Sequence, residues 1–167
     1  FKAMVITDFE GKYDLFDLIH NQNIIDDLTY NRNIDLIGPK FALIDEQYFK
    51  LRRNIKENDS VNRVLLFFGS NDKYNLISLF LKVLDHIDFK DFSIEIAIGS
   101  GSDNLQQIKQ IIKDMKNTRL HISIPTLAEI ISKSDIIIGA AGVNSWERIC
   151  LKKKSLVFQI ANNQKLV

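Results

Sequence analysis

The sequence predicts an α/β protein built on a parallel, Rossmann-like sheet, and three features of the region after residue 62 predict it. Short runs of nearly continuous apolar residues mark strands buried on both faces. Between them, apolar residues recur at three- and four-residue spacing, the mark of helices with one buried face. The turns are short, and those that follow strands are built of Gly, Ser and Asn. Strands and helices that alternate in this way make a parallel sheet covered on both sides.

Residues 63–68 (RVLLFF) are the first of these strands, followed by Gly69-Ser70-Asn71-Asp72 and a helix with Leu76, Phe80, Val83, Leu84 and Ile87 on one face. Residues 93–98 (SIEIAI) are the second, followed by Gly99-Ser100-Gly101-Ser102 and a helix that buries Leu105, Ile108, Ile111, Ile112 and Met115. A shorter strand, 119–124, stops at Pro125. Thr126 and Glu129 then have the spacing of a capping box at the head of a helix carrying Leu127, Ile130 and Ile131. Residues 135–138 are the fourth strand, a helix with Trp146, Ile149 and Cys150 follows, and 155–160 (SLVFQI) are the fifth strand.

The upstream region is less regular. Residues 1–8 and 16–20 read as strands separated by the turn signal Glu10-Gly11, and Asn21-Gln22-Asn23 reads as a polar turn held by its own side chains. Residues 24–37 are polar and irregular until 34–37, which end at Gly38-Pro39, where proline removes a backbone donor. An extended piece and a short helix fill 41–53, and the charged stretch 54–60 is the best linker in the chain. The expected organisation is the end of one domain plus an interdomain segment over 1–53, a linker over 54–62, and a nucleotide-binding Rossmann-like domain over 63–167. The chain opens at Phe1 inside a strand-like run, which suggests a piece of a longer protein.

Composition excludes more than it assigns. With 46% hydrophobic residues, 26% charged residues and a net charge of +1, nothing points to a nucleic-acid partner. No apolar run is long enough to span a bilayer. Cys150, the single cysteine, lies on the apolar side of a helix and reads as core, and a reducing compartment fits. His20 has no partner carboxylate or nucleophile in view. The sequence has no GxxxxGK(S/T), HExxH, CxxC or GxSxG pattern, and Asn104 stands where a dinucleotide fingerprint over 99–104 needs its third glycine.

What remains is a crevice at the carboxyl ends of the strands, formed by three turns, 69–72, 124–126 and 139–144. In the last of these, Gly139-Ala140-Ala141-Gly142-Val143-Asn144-Ser145-Trp146-Glu147 carries small residues from a strand straight into a helix. Backbone N–H groups at such a helix start can approach an anion, and the peptide dipoles favour negative charge there. Glu147 lies one turn inside the helix, where it could accept hydrogen bonds from sugar hydroxyls. Asn144 as N-cap with Glu147 three residues later also makes a capping box, so anion binding and capping both stay open. Lys152-Lys153-Lys154 reads as a solvated cluster at a helix end.

Taken in order, Leu66-Phe67-Phe68-Gly69-Ser70-Asn71-Asp72, Pro125-Thr126-Leu127-Ala128, Gly139 through Ser145-Trp146-Glu147-Arg148, and Asn163-Gln164 resemble the PseG/SpsG family. These are UDP-sugar hydrolases of pseudaminic-acid and surface-polysaccharide biosynthesis that share the two-domain GT-B fold with MurG-type glycosyltransferases. Asp17-Leu18-Ile19-His20-Asn21-Gln22-Asn23 and Gly38-Pro39-Lys40-Phe41-Ala42-Leu43-Ile44 resemble two further segments of the same family, although Asp45 stands where many relatives carry a basic residue. The resemblance implies that residues 63–167 are the C-terminal half of a GT-B fold. It implies that Gly142, Val143, Asn144 and Ser145 present donors to a diphosphate, that Glu147 holds the ribose and that the backbone at Ile124 meets the uracil. Gly69 and Ser70 would border the phosphates, and Asn163 and Gln164 would face the sugar or its phosphate.

The family's catalytic histidine belongs to a GxGHxxR-like segment absent from this sequence, so the catalytic residue is expected in a preceding domain of the same polypeptide. Residues 1–167 alone would show negligible turnover. No metal or other cofactor is implied. The reading that follows is a cytoplasmic UDP-sugar hydrolase of the UDP-2,4-diacetamido-2,4,6-trideoxy-beta-L-altropyranose hydrolase kind, releasing UDP and free sugar. A GT-B glycosyltransferase and a non-catalytic nucleotide-sugar-binding module are the alternatives.

Overall fold

A computed structural model describes residues 2–9, 11–23, 35–55, 60–86 and 92–165, with the side chains of 85 and 86 left aside. Expectations that involve Phe1, Glu10, residues 24–34, residues 56–59 and Ile87 lie outside these. Two parallel sheets are present among the described residues. The smaller joins β1 (Met4–Ile6), β2 (Leu18–Asn21) and β3 (Leu36–Ile37) in the order β1-β2-β3. The larger has the order β6-β5-β4-β7-β8, from β4 (Arg63–Phe67), β5 (Ser93–Ile98), β6 (Thr118–Ile122), β7 (Ile136–Ala140) and β8 (Lys154–Phe158). This is the α/β, Rossmann-like parallel sheet that the apolar runs predict. Its strand order reverses between β4 and β7, which opens a crevice at their carboxyl ends.

Alternate residues along each strand feed two cores. Val64, Leu66, Ile94, Ile96 and Ile98 pack with Ile77, Leu81 and Leu84 of α2 (Leu76–His86) and Ile108 of α3 (Leu105–Ile112). Leu65, Ala97 and Ile137 face the other way, onto Ile131 of α4 (Ala128–Lys133), Cys150 of α5 (Val143–Cys150) and Tyr48 of α1 (Glu46–Arg52). Helix α1, read from sequence as part of the interdomain segment, is thereby seated on the larger sheet. Arg52 Nη1 also donates to the Cys150 carbonyl at 2.7 Å. A Phe68–Phe80–Phe158 cluster, with ring centroids 5.4 and 5.2 Å apart along the chain of contacts, closes the first core beneath β8.

Several boundaries shift for identifiable reasons. β6 stops at Ile122, short of 124, because Ser123 turns into left-handed backbone (φ 49°) and its N–H goes to the Ile98 carbonyl. β8 stops at Phe158, because the Ile160 N–H is taken by the Gln164 side chain. β7 continues two residues beyond 138, through Gly139 and Ala140, so Gly139 is strand and not turn. A Cβ on Gly139 would lie 2.0 Å from the Phe67 carbonyl oxygen, and its lack of one is what lets β7 pass β4 so closely.

The upstream polar turn is structural, as read. Asn21, Gln22 and Asn23 are all buried. Asn21 Oδ1 accepts from Asn23 N, Gln22 Oε1 accepts from Leu43 N, and Asn23 Nδ2 donates to the Asp8 carbonyl. His20 is buried as well, with Nε2 donating to the Phe41 carbonyl at 2.7 Å. The middle lysine of the 152–154 cluster is half-buried rather than fully solvated. Lys153 Nζ donates to the Ser132 carbonyl, and burial pushes its pKa down.

Candidate functional site

A cleft of about 800 Å3 opens at the carboxyl ends of β4, β5 and β6, beside the start of α5. Ser70 and Asn71 line it from the turn after β4. Ser123, Ile124, Pro125 and Thr126 line it after β6, and Val143, Asn144 and Glu147 line it from α5. Five sequence-predicted residues, Ser70, Ile124, Val143, Asn144 and Glu147, thus meet at one surface. Gly69, Gly142 and Ser145 adjoin lining residues in the chain without lining the cleft themselves. Gly69 has φ 89°, which keeps that turn free of a side chain.

The start of α5 differs from the expected cap. Gly142 is the N-cap, with φ 131° and ψ −162°, a backbone region open only to glycine. Asn144 lies inside the first turn. It is displaced from the cap because its side chain is used elsewhere: Nδ2 donates to Glu147 Oε2, while Oδ1 accepts from Arg148 Nε at 2.6 Å. The first N–H groups of a helix have no intrahelical acceptor, and with glycine at the cap no side chain stands before those of Val143 and Asn144. Ser145 gives its N–H to the Gly142 carbonyl, and its buried hydroxyl has no partner. The Thr126 and Glu129 pair is likewise not a reciprocal box: Thr126 Oγ1 accepts from Ala128 N, but Glu129 pairs with Lys133.

Gln164 sits in a 3-10 turn (Asn162–Gln164) and folds its side chain back. Oε1 accepts from Ile160 N and Ala161 N, and Nε2 comes 3.8 Å from where a Gly142 Cβ would stand. It therefore reaches the glycine turn. Asn163 is half-buried beside it, and neither residue lines the cleft.

Sequence reasoning missed two parts of this surface. The 99–101 turn lines the cleft after β5. It is locked to its neighbours by Gly99 N to the Ser70 carbonyl (2.7 Å) and Ser100 N to Ser123 Oγ (2.8 Å). Its Gly-Ser-Gly composition is the same signal that marked the other turns. Asp45, Gln47 and Tyr48 enter from α1. Tyr48 is buried, and burial together with the Glu147 charge raises its pKa. Sequence reasoning also missed Arg148, which lies outside the cleft lining: 1% exposed, it donates to Asn144 and the Ala140 carbonyl, and Nη1 has no partner. Burial pushes its pKa down to about 10, against the partial support of the Glu147 charge.

Among the described residues, no group of three or more His, Cys, Asp and Glu side chains is placed to hold a metal ion, and no helix is long and apolar enough to cross a membrane.

No family model matches the chain. It is 23% identical over 127 residues, 72% of its length, to the uncharacterized protein MJ1062 of Methanocaldococcus jannaschii. It is 22% identical over 128 residues, 76% of its length, to the spore coat polysaccharide biosynthesis protein SpsG of Bacillus subtilis. The matches span 26% and 38% of those two proteins. The fold is similar to that in the crystal structure of Acinetobacter baumannii MurG, with a TM-score of 0.55 at 17% identity, over 88% of this chain and 47% of the MurG chain.

Proposed function

We propose that the cleft binds a nucleotide sugar and that the chain is the nucleotide-binding half of a UDP-sugar hydrolase of the PseG/SpsG type. The observation that carries this reading is the side-chain-free helix start at Gly142 opening on the same cleft as Glu147 and the Ile124 backbone. A diphosphate would sit at the N–H groups of Val143 and Asn144, where the helix dipole favours negative charge. The buried Arg148 guanidinium adds positive charge behind that turn. Ser70, with Gly69 behind it, would border the phosphates. Glu147 would accept from the ribose hydroxyls, and the Ile124 backbone would meet the base. Asn163 and Gln164 are assigned to the sugar side, with Gln164 Nε2 next to the phosphate turn.

Uridine and hydrolysis both rest on the family resemblance, which the similarity to SpsG supports. The proton-transfer residue would be a histidine of a preceding domain, and the whole protein would be cytoplasmic. A glycosyltransferase on this fold is the second reading, favoured by the likeness to MurG. Product analysis separates them, because a hydrolase releases free sugar from UDP-sugar without an acceptor.

Binding is tested directly by calorimetry with UDP. Glu147→Ala is expected to weaken UDP by about tenfold, the usual worth of a hydrogen bond to a charged group. An unchanged affinity would mean that Glu147 serves only to hold the Asn144 amide at the helix start.

A further inference from the structure

Asn144, Glu147 and Arg148 share one face of α5, at i, i+3 and i+4, and their side chains form a run of hydrogen bonds whose direction is fixed. The run starts from a buried guanidinium. Arg148 Nη2 donates to the Ala140 carbonyl at 3.1 Å, and it has room over β7 because Gly139 carries no side chain. Arg148 Nε can only donate, and it gives its proton to Asn144 Oδ1 at 2.6 Å. Turning the amide round would set its NH2 group against that donor. Nδ2 therefore faces Glu147, whose Oε2 accepts from it. Asn144 and Glu147 are half-buried and line the cleft, so a buried cation outside the lining dictates how the carboxylate within it is held.

We propose that the Asn144 side chain, oriented by Arg148, is a positioning group that fixes the Glu147 carboxylate for a ribose diol and thereby sets a preference for ribo- over 2′-deoxyribonucleoside diphosphates. The inference rests on the nucleotide reading given above, and it concerns the amide side chain, apart from the backbone N–H of the same residue that would meet the diphosphate. A carboxylate has about four acceptor directions. Asn144 holds one of them, and with it the terminal torsion of Glu147, which is intrinsically broad. Two vicinal hydroxyls donate together only to a carboxylate whose plane is fixed. A single hydroxyl can follow a turning carboxylate at little cost, so loss of the amide falls on diol recognition.

The test is calorimetry of the full-length protein with UDP and with 2′-deoxy-UDP, for wild type, Asn144→Ala and Asn144→Asp, read as the ratio of the two affinities. Wild type is expected to prefer UDP by about tenfold, and Asn144→Ala to reduce that preference to about twofold or less. Asn144→Ala also leaves the buried Arg148 Nε without its acceptor. Asn144→Asp keeps that acceptor but has no N–H to give Glu147, and the same collapse of the ratio is expected. Its added charge acts on the diphosphate of both ligands alike and cancels in the ratio. Thermal midpoints on the same samples show whether Asn144→Ala is folded, and if it is not, Asn144→Asp carries the test. A ratio unchanged in the folded variants, or a wild type without preference, overturns the role of Asn144 and leaves the nucleotide reading standing. A wild-type protein that binds neither nucleotide overturns the nucleotide reading and this inference with it.

Discussion

Gly139→Ala is expected to lower the unfolding free energy by about 3 kcal/mol, at the upper end for overpacking by a single methyl group. The new Cβ would stand 2.0 Å from the Phe67 carbonyl oxygen, 2.8 Å from Arg148 Nη2 and 3.0 Å from the Phe67 carbonyl carbon. Two of those atoms are backbone of β4, which is paired with β5 on one side and β7 on the other, and cannot move without breaking a ladder. The third belongs to a guanidinium anchored by Asn144 and Ala140. Urea denaturation measures the effect. Gly101→Ala is the control: nothing lies within 4 Å of its Cβ position, and a change within about 0.5 kcal/mol is expected. A Gly139→Ala midpoint equal to that control would sink the close-packing account.

Arg148→Met is expected to leave stability unchanged or raised while weakening UDP by about tenfold or more. Burial lowers the folded-state pKa of Arg148 from its ordinary value to about 10. Between about pH 10 and that ordinary value the unfolded state binds more protons, so stability rises with pH across that window. Below about pH 10 both states are protonated, and the charged form costs the fold on the order of 3 kcal/mol. Methionine fills similar volume without that cost, set against two lost hydrogen bonds. What the fold gains the site loses: Asn144 no longer has a fixed donor to orient its amide, and the diphosphate loses the cation beneath it. Calorimetry and thermal melting on the same variant separate the two. A variant that melts well below wild type yet binds UDP normally would refute this assignment.

The layered fold was readable because its signal is repeated. Runs such as 63–68 and 93–98 are too apolar and too short to be anything but strands buried on both faces, and the helices between them carry clear stripes. Local motifs were less reliable wherever a tertiary contact competed. Asn144 and Glu147 have capping-box spacing, but Arg148 draws the Asn144 amide inward and the cap falls to Gly142, whose φ of 131° only glycine tolerates. Gly139 reads as a turn because glycine usually breaks strands. Here it permits one to continue, for a reason that lies on β4 and not in its own segment.

Half of the cleft was legible from strand-end turns, and the rest was not. Tyr48 sits in a stretch whose local pattern assigns it to an interdomain segment, and its place beside Glu147 depends on α1 docking against α4 and α5. Arg148 looks like an ordinary helix-surface charge, since arginine is almost never fully buried. The 99–101 turn carries the right residues but fails as a dinucleotide fingerprint, and so drops out when judged against that one template.

Strand order also governs how the chain is finished during synthesis. β4, β5 and β6 are neighbours in both sequence and space, so with α2 and α3 they can assemble as soon as they leave the ribosome. The other side of β4 has to wait for β7, which begins only at Ile136 and pairs back to Val64 across some seventy residues. Until then the nascent chain carries an apolar strand with one bare hydrogen-bonding edge at the middle of its sheet. A chain halted before that point would carry a half-sheet whose open β4 edge is free to pair with another copy of itself.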